Sequence, residues 1–171
     1  MNNICRKFPK ILVGFLLILC TSSCIYCFGN GVPYLSCGEA ICVPADSLII
    51  AETLNEARVE AGQKCLSINQ YLNETAQNHA EYISLNDGVL THDEIKNNPG
   101  FTGETWVLRI RGSDYQGSPA TEFLAMGYSA EQVANMWLLS TDHAQYLMTP
   151  GIGDIGIGFS ENIWVVNLGI P

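Results

Sequence analysis

The sequence predicts one α+β or three-layer α/β/α domain, in which helices come first and a β-hairpin closes the chain. A length of 171 residues suits one domain of ordinary size with a sizeable core. Apolar residues recur at helical spacing in the first half and again around Trp137. Two runs of β type, DIGIGF and IWVVNLG, then flank the hairpin signal Ser160-Glu161-Asn162. Helices followed by strands favour this class over a doubly wound sheet.

Residues 1–23 have the build of a secretory signal peptide, with a lipoprotein type among the alternatives. MNNICRKFPK carries three positive charges and no acids, and the apolar run ILVGFLLILC follows it. Small residues then precede Cys24, which leaves three alternatives: a lipid on Cys24, ordinary cleavage nearby, or an uncleaved anchor. Residues 24–47 read as a cysteine-containing leader loop, because glycine, proline and cysteine interrupt any periodicity. The folded domain is therefore expected over residues 48–171.

Cysteine content and charge favour an exported protein. If the signal is removed and Cys24 is lipidated, four cysteines remain, which allows two disulfides in any of three pairings. Without residues 1–23, five basic residues stand against 17 acidic ones, a net charge of −12. Such a surface repels phosphate backbones and anionic lipids. We therefore expect no nucleic-acid partner, and membrane contact only through the N-terminal signal or a lipid anchor.

Two helices are predicted before the middle of the chain. The first covers residues 48–61, with Asp46 or Ser47 as its cap. The stretch Ser67 to Gln70 then has the spacing of a capping box. A second helix follows it and ends near residues 86–88, where Asn-Asp-Gly interrupts the apolar stripe.

The middle of the chain is less regular. The segment TWVLRIRG is predicted as a strand from its β-branched and aromatic content. Pro119 is predicted to open a short helix through residue 126, since proline suits a first helical turn. A capping box from Ser129 to Gln132 begins the next helix, AEQVANMWLLSTDHAQYLM, which Pro150 and Gly151 end.

Two patterns with functional associations have plainer explanations. GIGDIGIG is similar to a nucleotide-binding loop only in its glycines, because a hairpin and not a helix follows it. Close backbone packing in a strand explains these glycines better. Ser140 lies three residues before His143, yet no Gly-x-Ser-x-Gly turn surrounds it. We interpret Ser140 as a packing or capping residue.

Histidines and one glutamate are the candidate reactive groups. His79 lies on the apolar stripe of the second helix, which is typical of a buried, hydrogen-bonded core histidine. His92, His143 and Glu122 are residue types that suit one cleft. Two neutral imidazoles can bind a divalent metal, and a carboxylate can orient one of them or hold a water. Alternatively, imidazole and carboxylate act as base and orienting group in proton transfer; neither arrangement supplies a nucleophile.

The order of these segments resembles the bacterial branch of the CAP superfamily, named for cysteine-rich secretory proteins, antigen 5 and pathogenesis-related proteins. The resemblance covers about residues 48–169 and rests on LNEARVEAG, YLNETAQNHAEYI, LTHDE, TEFLA, VANMWLLSTDHAQYLM and IGDIGIGF. It implies an α/β/α sandwich whose cleft gathers His92, Glu122 and His143. In this family the two cleft histidines can hold a divalent ion, often zinc, so the resemblance implies that His92 and His143 hold zinc or that no cofactor is bound. Glu122 would orient a histidine or bind a water.

The sequence departs from the family pattern at three positions. Phe123 and Ala144 replace the usual Asn and Arg, and Ser140 stands where eukaryotic members often have a second glutamate. The expected site is therefore a three-residue version of the cleft.

The expected function is a secreted or lipid-anchored binding module for an unknown ligand, whether a lipid, a peptide or an envelope component. Its cleft would hold a divalent metal or a small ligand. The alternative is a metal-assisted hydrolase or peptidase with His143 as base and Glu122 as orienting group. A third reading is a structural envelope protein with a vestigial cleft. The sequence favours binding over catalysis, because it shows neither a nucleophile nor a secure metal-bound water.

Overall fold

The computed structural model describes the backbone of residues 31–36 and 39–171 and the side chains from residue 43 onward. The predicted signal over residues 1–23 and the lipidation site Cys24 lie outside this part of the chain. Its helices and strands are, in chain order, β1 (Gly31–Ser36), β2 (Glu39–Pro44), α1 (Ala45–Glu60), β3 (Ser67–Ile68), α2 (Gln70–Leu85), α3 (Trp106–Arg111), β4 (Ser118–Met126), α4 (Ala130–Leu139), α5 (Thr141–Leu147), β5 (Asp154–Ser160) and β6 (Ile163–Ile170).

A four-stranded sheet in the order β3-β5-β6-β4 forms the middle of the domain. The short strand β3 runs parallel to β5, and the other neighbours are antiparallel. The predicted C-terminal hairpin is confirmed as β5 and β6, joined by a turn at Glu161 and Asn162. Strand β4 pairs with β6 at the far edge, and this edge carries the candidate site.

Helices cover both faces of the sheet, so the predicted α+β class with three layers is confirmed. Leu54 of α1, Trp137 of α4 and Leu147 of α5 belong to one core cluster with Val166 of β6. Ala80 of α2 belongs to another cluster with Val165. Neighbouring residues of a strand point to opposite faces, so these two clusters lie on opposite sides of the sheet.

The sequence interpretation of residues 24–47 as a loop is wrong for the part described. Residues 31–36 and 39–44 pair as an antiparallel two-stranded sheet separate from the central one. The strand formers Val, Tyr and Ile occur between the glycines and cysteines of this segment, and they favour extended backbone.

The predicted starts of the first two helices are also wrong. Helix α1 begins at Ala45 after Pro44, without a side-chain cap, so Asp46 lies in its first turn. Helix α2 is capped by Asn69, whose Oδ1 accepts from the backbone N–H groups of Tyr71 and Leu72 at 3.0 and 3.3 Å. The preceding Ser67 and Ile68 are drawn into the sheet as β3. Tertiary pairing therefore outweighs the capping-box spacing there.

Two predictions in the middle of the chain are reversed. The segment TWVLRIRG forms helix α3, with Thr105 as its cap and Ile110 buried, because one apolar face packs on the domain. Residues 119–126 form strand β4 and not a helix, since Phe123 and Ala125 face the core and the whole segment pairs with β6. Local propensity is a weak guide where burial decides the outcome.

The helix predicted after Ser129 has the expected start but is divided. Ser129 and Gln132 form the complete capping box. The chain leaves helical geometry at Ser140, with φ −80° and ψ 120°, so α4 ends there and α5 begins. No helix within the described residues is long and apolar enough to cross a membrane.

Candidate functional site

The candidate site lies at β4, where a carboxylate and an aromatic ring sit next to each other in the chain. Glu122 pairs in register with Asn167 of β6 and is only 5 % exposed. Its neighbour Phe123 faces the opposite side of the sheet and packs on Trp137, with ring centroids 5.7 Å apart. Trp137 thus packs on the residue next to Glu122, on the opposite face of the sheet. Each of the two cleft histidines contacts one member of the Glu122-Phe123 pair.

Glu122 is fully engaged by hydrogen bonds. Its Oε1 lies 2.8 Å from Nδ1 of His92, and its Oε2 accepts from Nη2 of Arg109 at 2.7 Å. Turned so that both ends of its amide are satisfied, Asn167 also donates to Oε2 at 3.2 Å. A guanidinium can only donate, so Glu122 acts here as an acceptor carboxylate. Through Oε1 it orients the ring of His92.

His92 follows helix α2 in a loop, and its side chain is 54 % exposed. Because Nδ1 is held by the carboxylate of Glu122, this nitrogen carries the proton and Nε2 is the acceptor. Within residues 43–171, Nε2 of His92 has no hydrogen-bond partner. A ligand reaching His92 would therefore meet a lone pair.

His143 lies on helix α5 and approaches from the other side of β4. Its Nδ1 lies 2.8 Å from the hydroxyl of Ser140, and its ring meets Phe123 edge-on with centroids 4.7 Å apart. Burial lowers the pKa of His143; the charge of Asp142 opposes this effect, and His92 lies close enough to add to the lowering. His143 is thus a neutral imidazole near pH 7. Its Nε2, too, has no hydrogen-bond partner in the described part of the chain.

The prediction that His79 is a buried, hydrogen-bonded histidine is confirmed. It is fully buried, with Nδ1 2.9 Å from Glu94 Oε1 and Nε2 2.8 Å from the carbonyl oxygen of Thr91. Both neighbours are acceptors, and a neutral imidazole has only one N–H. Both ring nitrogens of His79 are therefore occupied inside the protein. Its Nε2 also lies 3.8 Å from Glu122, so the ring belongs to the same buried polar group.

Sequence reasoning missed two buried charged residues, Glu94 and Arg109. Both are 3 % exposed. Burial by itself would raise the pKa of Glu94, but hydrogen bonds from His79, Thr102 and Gly103 and the charge of Arg109 outweigh it and lower that pKa. Arg109 reaches Glu122 at 2.7 Å and lies 3.5 Å from Glu94.

The carboxylates of Glu94 and Glu122, the guanidinium of Arg109 and the ring of His79 form one buried group of polar contacts next to His92. Charges taken out of water persist when they are paired and hydrogen-bonded in this way. The only sequence signal for Glu94 was its place two residues after His92 in LTHDE. Arg109 gave none, because an arginine between apolar residues in a short segment is expected to face solvent.

The donors for a metal ion are sparse. Across residues 43–171, no group of three or more His, Cys, Asp and Glu side chains is arranged to hold one. An ion held by the Nε2 atoms of His92 and His143 would have two protein ligands, and water or a bound ligand would fill its remaining positions. Nδ1 of His92 donates to Glu122, and Nδ1 of His143 shares a hydrogen bond with the Ser140 hydroxyl; such contacts orient metal-binding histidines. Such a site binds more weakly than one with three or four protein ligands.

The residues do not assemble the catalytic pair expected for a hydrolase. Glu122 contacts His92 and Arg109, while Nδ1 of His143 contacts Ser140. In the part of the chain described, no carboxylate hydrogen-bonds to the ring of His143. Ser140 ends α4 and precedes α5, so its hydroxyl orients His143 from a helix junction.

The fold and the cleft together define an α/β/α domain with a histidine and glutamate site at one sheet edge. The chain belongs to the cysteine-rich secretory protein family, CAP, whose family model matches residues 51–167. No curated protein sequence is significantly similar to it.

Solved bacterial structures share the fold. An outer surface protein of Borrelia burgdorferi has a TM-score of 0.61 and 26 % identity, and the match covers 72 % of this chain and 91 % of that one. An extracellular SCP-domain protein of Bacillus anthracis has a TM-score of 0.60 and 22 % identity, covering 71 % of this chain and 39 % of that one. A cysteine-rich secretory protein of Staphylococcus aureus gives 0.53 and 16 %, covering 74 % and 39 %. This chain thus spans well under half the length of the last two.

Proposed function

We propose that this chain is an exported CAP-domain binding module whose cleft holds a divalent metal ion or a small ligand between His92 and His143. The observation that carries the proposal is that the two rings have the same pattern of hydrogen bonds. Each has Nδ1 engaged inside the protein, by Glu122 or by Ser140, and each leaves Nε2 without a partner in the described residues. Neutral imidazole is a usual zinc ligand, and zinc is the ion that the family resemblance favours.

The bound ion would supply positive charge to attract a carboxylate, phosphate or similar acceptor of the ligand. His92 and His143 would hold it, and Glu122 would keep His92 in the correct tautomer. The hydrolase alternative is weaker, because Glu122 is committed to His92 and Arg109 and so does not orient His143 as a base. The single feature in its favour is the 2.8 Å contact between Ser140 and His143.

A zinc-uptake measurement tests the binding proposal. The purified exported protein is expected to take up about one zinc ion per chain at neutral pH, and the His92→Ala/His143→Ala double variant is expected to take up none. Gln145→Ala, an exposed change on the same helix as His143, is the matched control and should bind like the wild type. Equal zinc content in the wild type and the double variant would remove the metal site. Hydrolysis of peptides or esters that Ser140→Ala abolishes would favour the enzyme instead.

Export to the cell envelope is part of the same proposal. The similar Bacillus protein is described as extracellular and the Borrelia protein as an outer surface protein. Cys65 is disulfide-bonded, which suits an oxidising compartment. The signal-like residues 1–23 and the cysteine at position 24 would supply export and a lipid anchor.

Membrane partitioning tests the anchor. A lipid on Cys24 predicts that the protein sediments with membranes and that Cys24→Ser releases it. Cys27→Ser, three residues further on, is the control and should leave the protein membrane-bound. A Cys24→Ser variant that still partitions with membranes would favour an uncleaved N-terminal anchor over lipidation.

A further inference from the structure

We propose that Arg109 is the positioning residue of the cleft: it fixes His92 at both its backbone and its ring, so that Nδ1 carries the proton and Nε2 stays open to a ligand. The nature of that ligand rests on the proposed function above. The tautomer of His92 does not, because it follows from hydrogen bonds inside the protein.

Arg109 holds His92 in two ways, directly through the backbone carbonyl of His92 and indirectly through the carboxylate of Glu122. Its Nη1 donates to the backbone carbonyl of His92 at 3.1 Å and to that of Gly103 at 3.3 Å. Its Nη2 donates to Oε2 of Glu122 at 2.7 Å, and the other oxygen of that carboxylate accepts from the His92 ring at 2.8 Å. The loop position and the ring orientation of His92 therefore depend on one guanidinium.

Burial makes this arrangement decisive for the tautomer. The side chains of Arg109 and Glu122 are 1 % and 0 % exposed, whereas that of His92 is 54 % exposed. A buried carboxylate stays ionised when it is paired with a cation. With Oε2 held by Arg109, Oε1 is an acceptor, and the ring of His92 must donate to it from Nδ1. Without this contact, water alone would decide which nitrogen of the exposed ring carries the proton.

A lysine could not replace this residue fully. The two terminal nitrogens of Arg109 serve three acceptors on three separate segments, and the single nitrogen of lysine cannot span them in one geometry. The stem of Arg109 is also closely packed, since a Cβ placed on Gly103 would lie 3.1 Å from Cγ of Arg109. The backbone at Gly103 thus leaves little space between itself and the arginine stem.

The test compares Arg109→Met, Arg109→Lys and the matched control Arg111→Met, which removes an exposed arginine from the same helix. The first readout is the tautomer of His92 in the metal-free protein, taken from ¹⁵N spectra of the ring nitrogens above pH 7.5 and assigned with a His92→Gln variant. The second is zinc affinity by calorimetry. Dispersed amide spectra establish that each variant is folded.

We expect the wild type and Arg111→Met to show His92 protonated at Nδ1. Arg109→Met should shift the ring to a mixture of tautomers and weaken zinc binding about 10- to 100-fold, the usual effect of losing a group that orients a ligand. Arg109→Lys should fall between the two. A folded Arg109→Met protein with the wild-type tautomer would overturn the proposal. If that variant does not fold, a wild-type tautomer in Arg109→Lys would overturn it equally.

The two proposals fail separately. If the wild type binds no zinc but Arg109→Met still changes the tautomer of His92, Arg109 remains the positioning residue and the metal function is lost. If zinc binding is present and Arg109→Met leaves both the tautomer and the affinity unchanged, the metal function remains and the positioning role is lost.

Discussion

At the scale of single residues, the role of each histidine follows from its hydrogen-bond partners. His79 is buried with an oxygen atom at hydrogen-bond distance from each ring nitrogen, so neither nitrogen is open to a ligand. His92 faces one carboxylate and keeps a free nitrogen. His143 faces a serine hydroxyl, and burial lowers its pKa. Three residues of one type therefore have three roles, and only the last two suit a metal or ligand.

The sequence predicted His92, Glu122 and His143 because a histidine or a central acid is conspicuous by type and place. It could not predict Arg109 or Glu94. Their burial depends on a 2.7 Å ion pair and on backbone N–H donors from Thr102 and Gly103, which distant segments bring together only after folding. No local pattern reports such a contact.

The hydrogen-bonded pair of Tyr115 and Asp154 lies outside the candidate site and gives a prediction about how stability depends on pH. Burial raises the pKa of Asp154, although the hydrogen bond from Tyr115 at 2.9 Å opposes this. A carboxyl whose pKa is raised by folding stabilises the folded state fully below its unfolded pKa, and this contribution is lost as pH rises through the folded pKa. Asp154→Asn keeps an acceptor for Tyr115 and removes the charge. The free energy of unfolding of Asp154→Asn, measured in urea, should therefore increase relative to that of the wild type as the pH rises from about 4 to about 7.

The matched control for this measurement is Asp114→Asn, which removes another carboxylate close in the chain to Tyr115. Its stability relative to the wild type should change little over the same pH range. A pH-independent difference between Asp154→Asn and the wild type would show that the charge of Asp154 is not the cause.

At the scale of elements, the junction at Ser140 places the second cleft histidine. The sequence predicted one helix across this region because its apolar pattern continues without a proline or glycine. The break at Ser140 lets α5 begin in a new direction, with Leu147 buried and His143 against Phe123. Arg58 of α1 secures the far end of α5 by donating to the carbonyl oxygens of Leu147 and Ile152. Buried contacts of this kind decide a helix break that local pattern does not.

The close packing of α2 on β5 gives the second prediction at this scale. A Cβ on Gly156 would overlap the backbone of Leu72 and Asn73, and backbone cannot move aside as a side chain can. Gly156→Ala should therefore lower the free energy of unfolding by about 3 kcal/mol or more, measured by urea denaturation. The sequence correctly assigned this glycine to close packing in a strand, because a hairpin follows it.

Gly62→Ala is the control for that substitution. Gly62 has a positive φ of 75°, but its Cβ would meet open space, so only the backbone strain of about 1 kcal/mol is expected. Equal losses in the two variants would contradict the packing explanation.

At the scale of the whole molecule, the edge strand β4 carries the contacts of both candidate histidines, one on each of its faces. Glu122 and Phe123 point to opposite sides of β4, and the loop after α2 and helix α5 reach them from those two sides. The layer order could be predicted from the succession of helices and strands. The assignment of β4 could not, because only its pairing with β6 makes residues 118–126 a strand. The site therefore depends on an element that the sequence did not predict.

The central claim is that His92 and His143 share one ligand ion. The most direct measurement is an anomalous difference map at the zinc absorption edge from crystals of the exported protein soaked in zinc. We predict one strong peak within about 2.1 Å of both Nε2 atoms, with Nδ1 of His92 still on Glu122. A map without a peak there, or with zinc bound to only one of the two rings, would contradict the claim.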